Sequence, residues 1–425
     1  MRRVLSFAGD AVATAAALCS TSQEPHLLYE NGGVVTWAEG ERATVEARPG
    51  CVRLREGGQE EDFPAAQGPL PAVGAALRRA GCRAYGWVAA ELFEPVADDV
   101  VARFFLPRRE IIFTRGEAVL IAGSEPELDE LARRVTAAAR SGVEPAGRIP
   151  VADHGAEDYL EAVAAAVQAI RAGELDKVIL SRAVPVLAAL DLPATYLAGR
   201  RANQPARSFL LRLGGWEVAG FSPEIVARID AARKVTTQPL AGTRALTGDR
   251  HTDAAGRAEL YRDAKEVFEH AVSVRLAAAE LAGFCVPGTV RVGEFMTVKE
   301  RGSVQHLASE LTGELRPGKD AWDALAGLFP AVTASGIPKS EACALLRRLE
   351  DGPRGLYSGA VVAVDPDGSL DAALVLRSVF RRNGRTWLRA GAGIVAGSRP
   401  ERELEETREK LASVSRYLVP AAVGS

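Results

Sequence analysis

The chain has 425 residues, 47% hydrophobic and 25% charged, the composition of an ordinary globular protein with apolar material for a large core. A net charge of −3 and a pI near 6.1 give no push towards nucleic acid or an anionic membrane, so neither partner is expected. The opening MRRVLSFAGDAVATAAALCS imitates a signal peptide, but Asp10 breaks its apolar run and the rest falls short of bilayer length; a mature, cytoplasmic chain is expected.

Residues 1–147 carry strand-like runs at 43–46, 83–88 and 110–113 and a helix at 125–140. Residues 141–154, with Gly142, Pro145, Gly147 and Pro150, read as a linker. The second part, 155–421, opens with a helix at 158–172, followed by strands at 177–182, 208–213, 218–221 and 225–229. A long helix is predicted over 262–282, then strands at 359–364, 372–382 and 385–390, and a closing helix over 399–417. Strands come in consecutive runs instead of alternating with helices, which argues for an α+β protein with large antiparallel sheets. The five cysteines (Cys19, Cys51, Cys82, Cys285, Cys343) have neither metal nor redox spacing and read as buried thiols in a reducing compartment.

Two helices carry paired acids. Glu266 and Glu269 stand three apart on the long helix, whose two apolar stripes (Val267, Ala271, Val274, Ala278, Leu281 and Phe268, Val272, Leu276, Ala279) predict a largely buried element. On the last helix, Ser398 and Glu401 suggest a capping box. There Glu403, Glu406 and Lys410 border the core stripe, while Glu401, Glu405 and Glu409 face water. Four carboxylates from two E-x-x-E pairs suit a hard divalent cation, although either pair alone is more often a solvated face. The loops AGAGIVAGS (390–398) and PLAGTR (239–244) could cradle an anion or be plain tight turns. Lys177 opens the apolar run Val178–Leu180, and Arg377 interrupts the predicted strand 372–382, where an arginine more often points to solvent.

Together these pieces resemble the chorismate-utilising family of anthranilate, aminodeoxychorismate, isochorismate and salicylate synthases. The matching blocks are LDKVILSR (175–182), GFSPEIV (220–226), PLAGTR (239–244), DAKEVFEH (263–270), SVQHLAS (303–309), AVTASGIPK (331–339), GLYSGA (355–360), ALVLRSVF (373–380), AGAGIVAGS (390–398) and ERELEETREK (401–410), in order. Within the family the wording is most similar to salicylate synthases of siderophore pathways, with Gln238 standing where glutamate is expected.

The resemblance implies the fold of anthranilate synthase component I: one unit of two packed, mainly antiparallel sheets with helices outside. It implies Mg²⁺ on Glu269 and Glu406, with Glu266 and Glu403 supporting, and chorismate as substrate. Tyr357 and Arg377 would hold the enolpyruvyl carboxylate, helped by Lys410 and the backbone of Gly391, Ala392 and Gly393. Gly242 and Thr243 would line the ring, and His306 and Thr333 would line the site without an assigned role. Lys177 would be the general base that activates water, since ammonia-using relatives carry glutamine there, and Glu224 the general acid. No ammonia-supplying amidotransferase subunit is then expected, and the chain is expected to act as a monomer. An enzyme that stops at isochorismate and a non-catalytic chorismate-binding relative remain as alternatives.

Overall fold

The computed structural model describes residues 1–81, 83–93, 99–140, 149–302 and 304–421. Several of its strands are apolar on both sides. In Arg207–Leu213, Phe209, Leu211 and Leu213 face one core cluster and Leu210 another, and all four are buried. Because side chains alternate along a strand, such a segment has to lie in a sheet covered on both faces.

Every strand pairing among the described residues is antiparallel. One layer runs from Arg2–Ser6 through Glu117–Ile121, His26–Asn31, Arg207–Leu213, Trp216–Ser222, Ser378–Arg382 and Arg385–Ile394 to Lys177–Pro185. The other runs from Cys51–Glu56 through Ala84–Val88, Ala360–Val364, Leu370–Leu374, Ile225–Ile229 and Lys234–Thr237 to Val304–Glu314, which also pairs Leu240–Ala245 and Arg291–Arg301. The long strands Val34–Arg48 and Ala102–Thr114 pair with each other and belong to both layers, with a bulge between Glu41 and Ala43. The two expected sheets are thus joined at that edge into one hydrogen-bonded network. Strands from residues 1–147 and from 155–421 share it.

Trp87, Phe105, Phe209, Trp216, Val361 and Phe380, drawn from both layers, form the core between them. Helices Ala11–Thr21, Glu125–Arg140 and Leu192–Ala202 cover one outer face. Pro69–Ala80, Ala264–Phe284 and Ala321–Leu328 cover the other. Among the described residues no helix is long and apolar enough to cross a membrane.

Several elements differ from the sequence reading. Asp10 caps Ala11–Thr21, accepting from Ala13 N at 3.0 Å, so the acid that interrupts the leader-like run starts an unpredicted alanine-rich helix. The predicted helix 262–282 is found as Ala264–Phe284, and an unpredicted helix, Arg250–Arg262, precedes it; Asp263 ends Arg250–Arg262 and caps Ala264–Phe284. Only one side of the latter is buried, and Phe268 and Ala279 are exposed. The Ser398–Glu401 capping box does not form: Arg399 is the N-cap of Pro400–Ser415, and Ser398 Oγ accepts from Val395 N instead. Glu409 is half-buried and paired with Arg402 instead of facing water. Cys51 and Cys343 are only half-buried. Cys82 and most of the predicted linker, 141–148, lie outside the described residues.

Candidate active site

The chain passes between the two layers at two breaks, and each break carries a functional side chain. Trp216–Ser222 and Ile225–Ile229 belong to different layers, and Glu224 sits between them after Pro223. Leu370–Leu374 and Ser378–Arg382 are separated by residues 375–377, where Arg377 has φ 50°. The single strand expected over 372–382 is therefore two, and Arg377 turns inward at 8% exposure. Both residues line one cavity with about 630 Å³ of non-atom space, open mouth included.

Glu224 is buried and accepts from Thr333 Oγ1 at 2.6 Å. Burial pushes its carboxyl up to about 8, against the opposing pull of that hydrogen bond and of Lys177. Arg377 donates to Ser413 Oγ at 3.3 Å and contacts His306 Nε2 at 3.1 Å, both neutral partners. Burial lowers it to about 10. His306 Nδ1 lies 3.1 Å from both Gly242 O and Thr243 Oγ1. Burial, then Arg377 and Lys410, hold its imidazole well below its usual range. A neutral ring with Nδ1–H directed at Gly242 O and Nε2 accepting from Arg377 satisfies every contact.

On strand Arg385–Ile394 alternate residues face the cavity: Arg389, Gly391 and Gly393 line it. Ala392 points the other way, into the core with Val178, Leu180 and Leu404. Lys410 Nζ donates to Gly391 O at 2.8 Å and pairs with Glu406 at 2.7 Å. Two guanidinium groups stand near the Tyr357 ring, Arg354 at 5.7 Å and Arg389 at 5.6 Å from its centroid, both held by the buried Glu350.

The four expected acids converge and are all buried. Glu269 and Glu406 line the cavity, whereas Glu266 and Glu403 line a separate outer groove. Burial pushes Glu266 up to about 7. Burial also works on Glu406, but Lys410 and Lys265 outweigh it and hold that carboxyl at about 2. Glu403 Oε2 is buried without a hydrogen-bond partner in the structure. Among the described residues no three acidic, His or Cys side chains already stand at metal-ligand spacing. The acids instead surround Lys265, whose Nζ is 3.2 Å from Glu403, 3.6 Å from Glu266 and 3.8 Å from Glu269. A ring of hard oxygen donors with one orphaned oxygen fits a hard divalent ion.

Lys177 is 1% exposed at the start of its strand and is not among the cavity-lining residues. Its Nζ lies 2.9 Å from Glu269 Oε1 and donates to Ser273 Oγ at 3.1 Å. Gln238 likewise leaves the cavity and donates to Glu310. Of the other expected residues, Gly242, Thr243, His306, Thr333, Tyr357 and Gly391 all line the cavity. Sequence reasoning missed Arg389 and Lys265. Arg389 sits two residues before Gly391 on the same strand, so period-two alternation was an available signal. Lys265 lies inside the DAKEVFEH block, where the flanking acids drew attention.

Residues 33–416 match the family described as chorismate binding enzyme. The chain is 44% identical to salicylate synthase of Mycolicibacterium paratuberculosis, over 95% of this chain and 92% of that one. It is 34% identical to anthranilate synthase component 1 of Streptomyces coelicolor, over 82% of this chain and 68% of the relative. Among solved structures, anthranilate synthase component I from Streptococcus pneumoniae superposes with TM-score 0.75 at 24% identity, covering 91% of this chain and 92% of that one. The menaquinone-specific isochorismate synthase from Escherichia coli gives 0.74 at 23%, covering 98% and 94%. These last two carry the fold, and the sequence matches carry the family: this chain is a chorismate binding enzyme.

Proposed function

We propose that the protein is a Mg²⁺-dependent salicylate synthase that converts chorismate through isochorismate to salicylate and pyruvate. The observation that carries this reading is the 44% identity to a salicylate synthase along nearly the whole of both chains. The site chemistry supports it. Arg377, a buried cation with only neutral partners, is prepared to receive a carboxylate. Tyr357, Lys410 and the Gly391–Gly393 strand stand on the same cavity wall.

Glu269 and Glu406, backed by Glu266 and Glu403, would hold Mg²⁺, whose charge lets the ring carboxylate of the substrate lie beside four acids. Glu224, protonated below about pH 8, can donate to the departing C4 hydroxyl, which leaves as water. Lys177 would take the proton of the water that adds at C2. To act as a base it has to be the free amine, and Glu269 Oε1, 2.9 Å from Nζ, is committed to the metal and is not its proton acceptor. Pyruvate loss from isochorismate needs the enolpyruvyl group held over the ring, a positioning task that Arg377 and Tyr357 can serve.

The test is incubation with chorismate and Mg²⁺, followed by separation of isochorismate, salicylate and anthranilate. Salicylate and pyruvate in equal amounts are expected, with activity abolished by excess chelator. Isochorismate without pyruvate would make the protein an isochorismate synthase, and no turnover would make it a non-catalytic chorismate binder.

A further inference from the structure

The acid ring already has a cation of its own. Lys265 Nζ stands within 3.2–3.8 Å of Glu403, Glu266 and Glu269. Nothing in its helix favours a lysine there. It lies in the first turn of Ala264–Phe284, where the positive end of the helix dipole opposes a cation. A lysine four residues ahead of a glutamate is also the weaker order for a helical ion pair. The carboxylates, not the helix, account for its placement.

Space is arranged on both sides of it. Glu269 and Glu406 face the inner cavity, while Lys265, Glu266 and Glu403 face the outer groove, whose wall also carries Glu259 paired with Arg244, Glu409 paired with Arg402, and Arg399. That groove meets solvent at Glu259 and Arg399, so an ammonium leaving the ring can be hydrated there. A divalent ion and an ammonium held by the same carboxylates repel each other at these distances.

We propose that Lys265 is an internal surrogate cation, holding the four-carboxylate ring together in the metal-free protein and withdrawing into the outer groove when a divalent ion binds. Metal uptake is then a displacement of one cation by another. This rests on the reading of the four acids as the Mg²⁺ site. Lys265 sets the affinity and is not itself a ligand.

Two measurements test it on the full chain without using turnover. In titration calorimetry with MgCl₂ alone, Lys265→Gln should bind Mg²⁺ more tightly than wild type by about tenfold, the scale of one charge-assisted hydrogen bond removed from the competitor. Lys265→Arg, which keeps a cation, should not. Equal or weaker binding by Lys265→Gln overturns the proposal. Should that variant fail to fold, the wild-type protein serves. Mass-spectrometric readout of amine acylation should show Lys265 labelled faster in saturating Mg²⁺ than in chelator, and unchanged or slower labelling overturns the displacement. If neither wild type nor variant binds Mg²⁺ the metal reading itself falls and this inference with it, whereas Mg²⁺ binding that ignores Lys265 removes the inference alone.

Discussion

At Arg377 and Glu224 burial and charge pull in opposite directions, and that tension sets what each residue can do. Arg377 is a desolvated cation whose hydrogen-bond partners are a hydroxyl and a neutral imidazole, so an incoming carboxylate relieves it. Arg377→Ala should lower kcat/KM by about tenfold to a hundredfold, mostly through KM, as expected for one lost charged hydrogen bond of roughly 1.5–3 kcal/mol. Wild-type kinetics would mean that the substrate carboxylate lies elsewhere. Glu224 is the reverse case, a carboxyl kept protonated by burial up to about pH 8. Its acid form is present below that value and lost above it, so kcat should fall as pH rises through about 8. Glu224→Gln should remove that limb while lowering kcat by about 10²–10⁴-fold, the usual worth of a positioned general acid. A pH profile unchanged in the variant would assign the limb to another group. Glu224 was visible in the sequence only through the family blocks, and Arg377 also as an interruption of a predicted strand that reads as solvent-facing; their environment was not visible, since desolvation depends on a second layer remote in the chain.

Where a strand meets a helix, a missing side chain is as informative as a present one. Gly393, on strand Arg385–Ile394, abuts the carboxylate of Glu269 on helix Ala264–Phe284, and a Cβ added there would collide with it. Gly393→Ala should therefore displace Glu269 and break its 2.9 Å contact with Lys177. Activity should fall about a hundredfold, the scale of a 1 Å misplacement, with the far-UV circular dichroism of wild type. Full activity would show that Glu269 moves freely. At this scale the sequence was legible where a local device fixed the element. Continuous apolar runs located Lys177–Pro185 and Arg207–Leu213, and 3.6-residue periodicity located Glu125–Arg140. It failed where tertiary context decided. Val375 and Leu376 read as more strand, yet they sit at a passage between layers, and no turn residue marks it. Ala11–Thr21 has too little polar surface to show a face, and its start is set by one aspartate. The mutual arrangement of the acids was legible as two E-x-x-E pairs, but Lys265 as the cation joining them was not, because the approach of helix Pro400–Ser415 adds Glu403 to the two acids of its own helix.

For the whole molecule, the important fact is that the cavity is assembled from both layers. Arg389, Gly391 and Gly393 come from one, Thr243 and His306 from the other, and Glu224 and Arg377 from the passages between them. Neither layer can hold the site alone, so the site should exist only while the apolar core between the layers is intact. Phe105 tests this. It is fully buried in that core, packs against Tyr85 with ring centroids 6.1 Å apart, and does not line the cavity. Phe105→Ala leaves a void that its neighbours fill only in part, which should cost about 3–5 kcal/mol of stability. A chain of this length often unfolds in steps, but here tryptophan fluorescence and enzymatic activity should be lost at the same urea concentration. The reason is that Trp87, Trp216 and Trp387 all lie in or against the inter-layer core that holds the site together. The variant should shift both transitions to lower urea together, while kcat per folded molecule in the absence of urea stays within about twofold of wild type, as surface and core changes away from the chemistry allow. Activity disappearing well before the fluorescence change would show that the cavity opens locally, by separation of helix Pro400–Ser415 or Ala264–Phe284 from the sheets, and that the core between the layers is not what secures it.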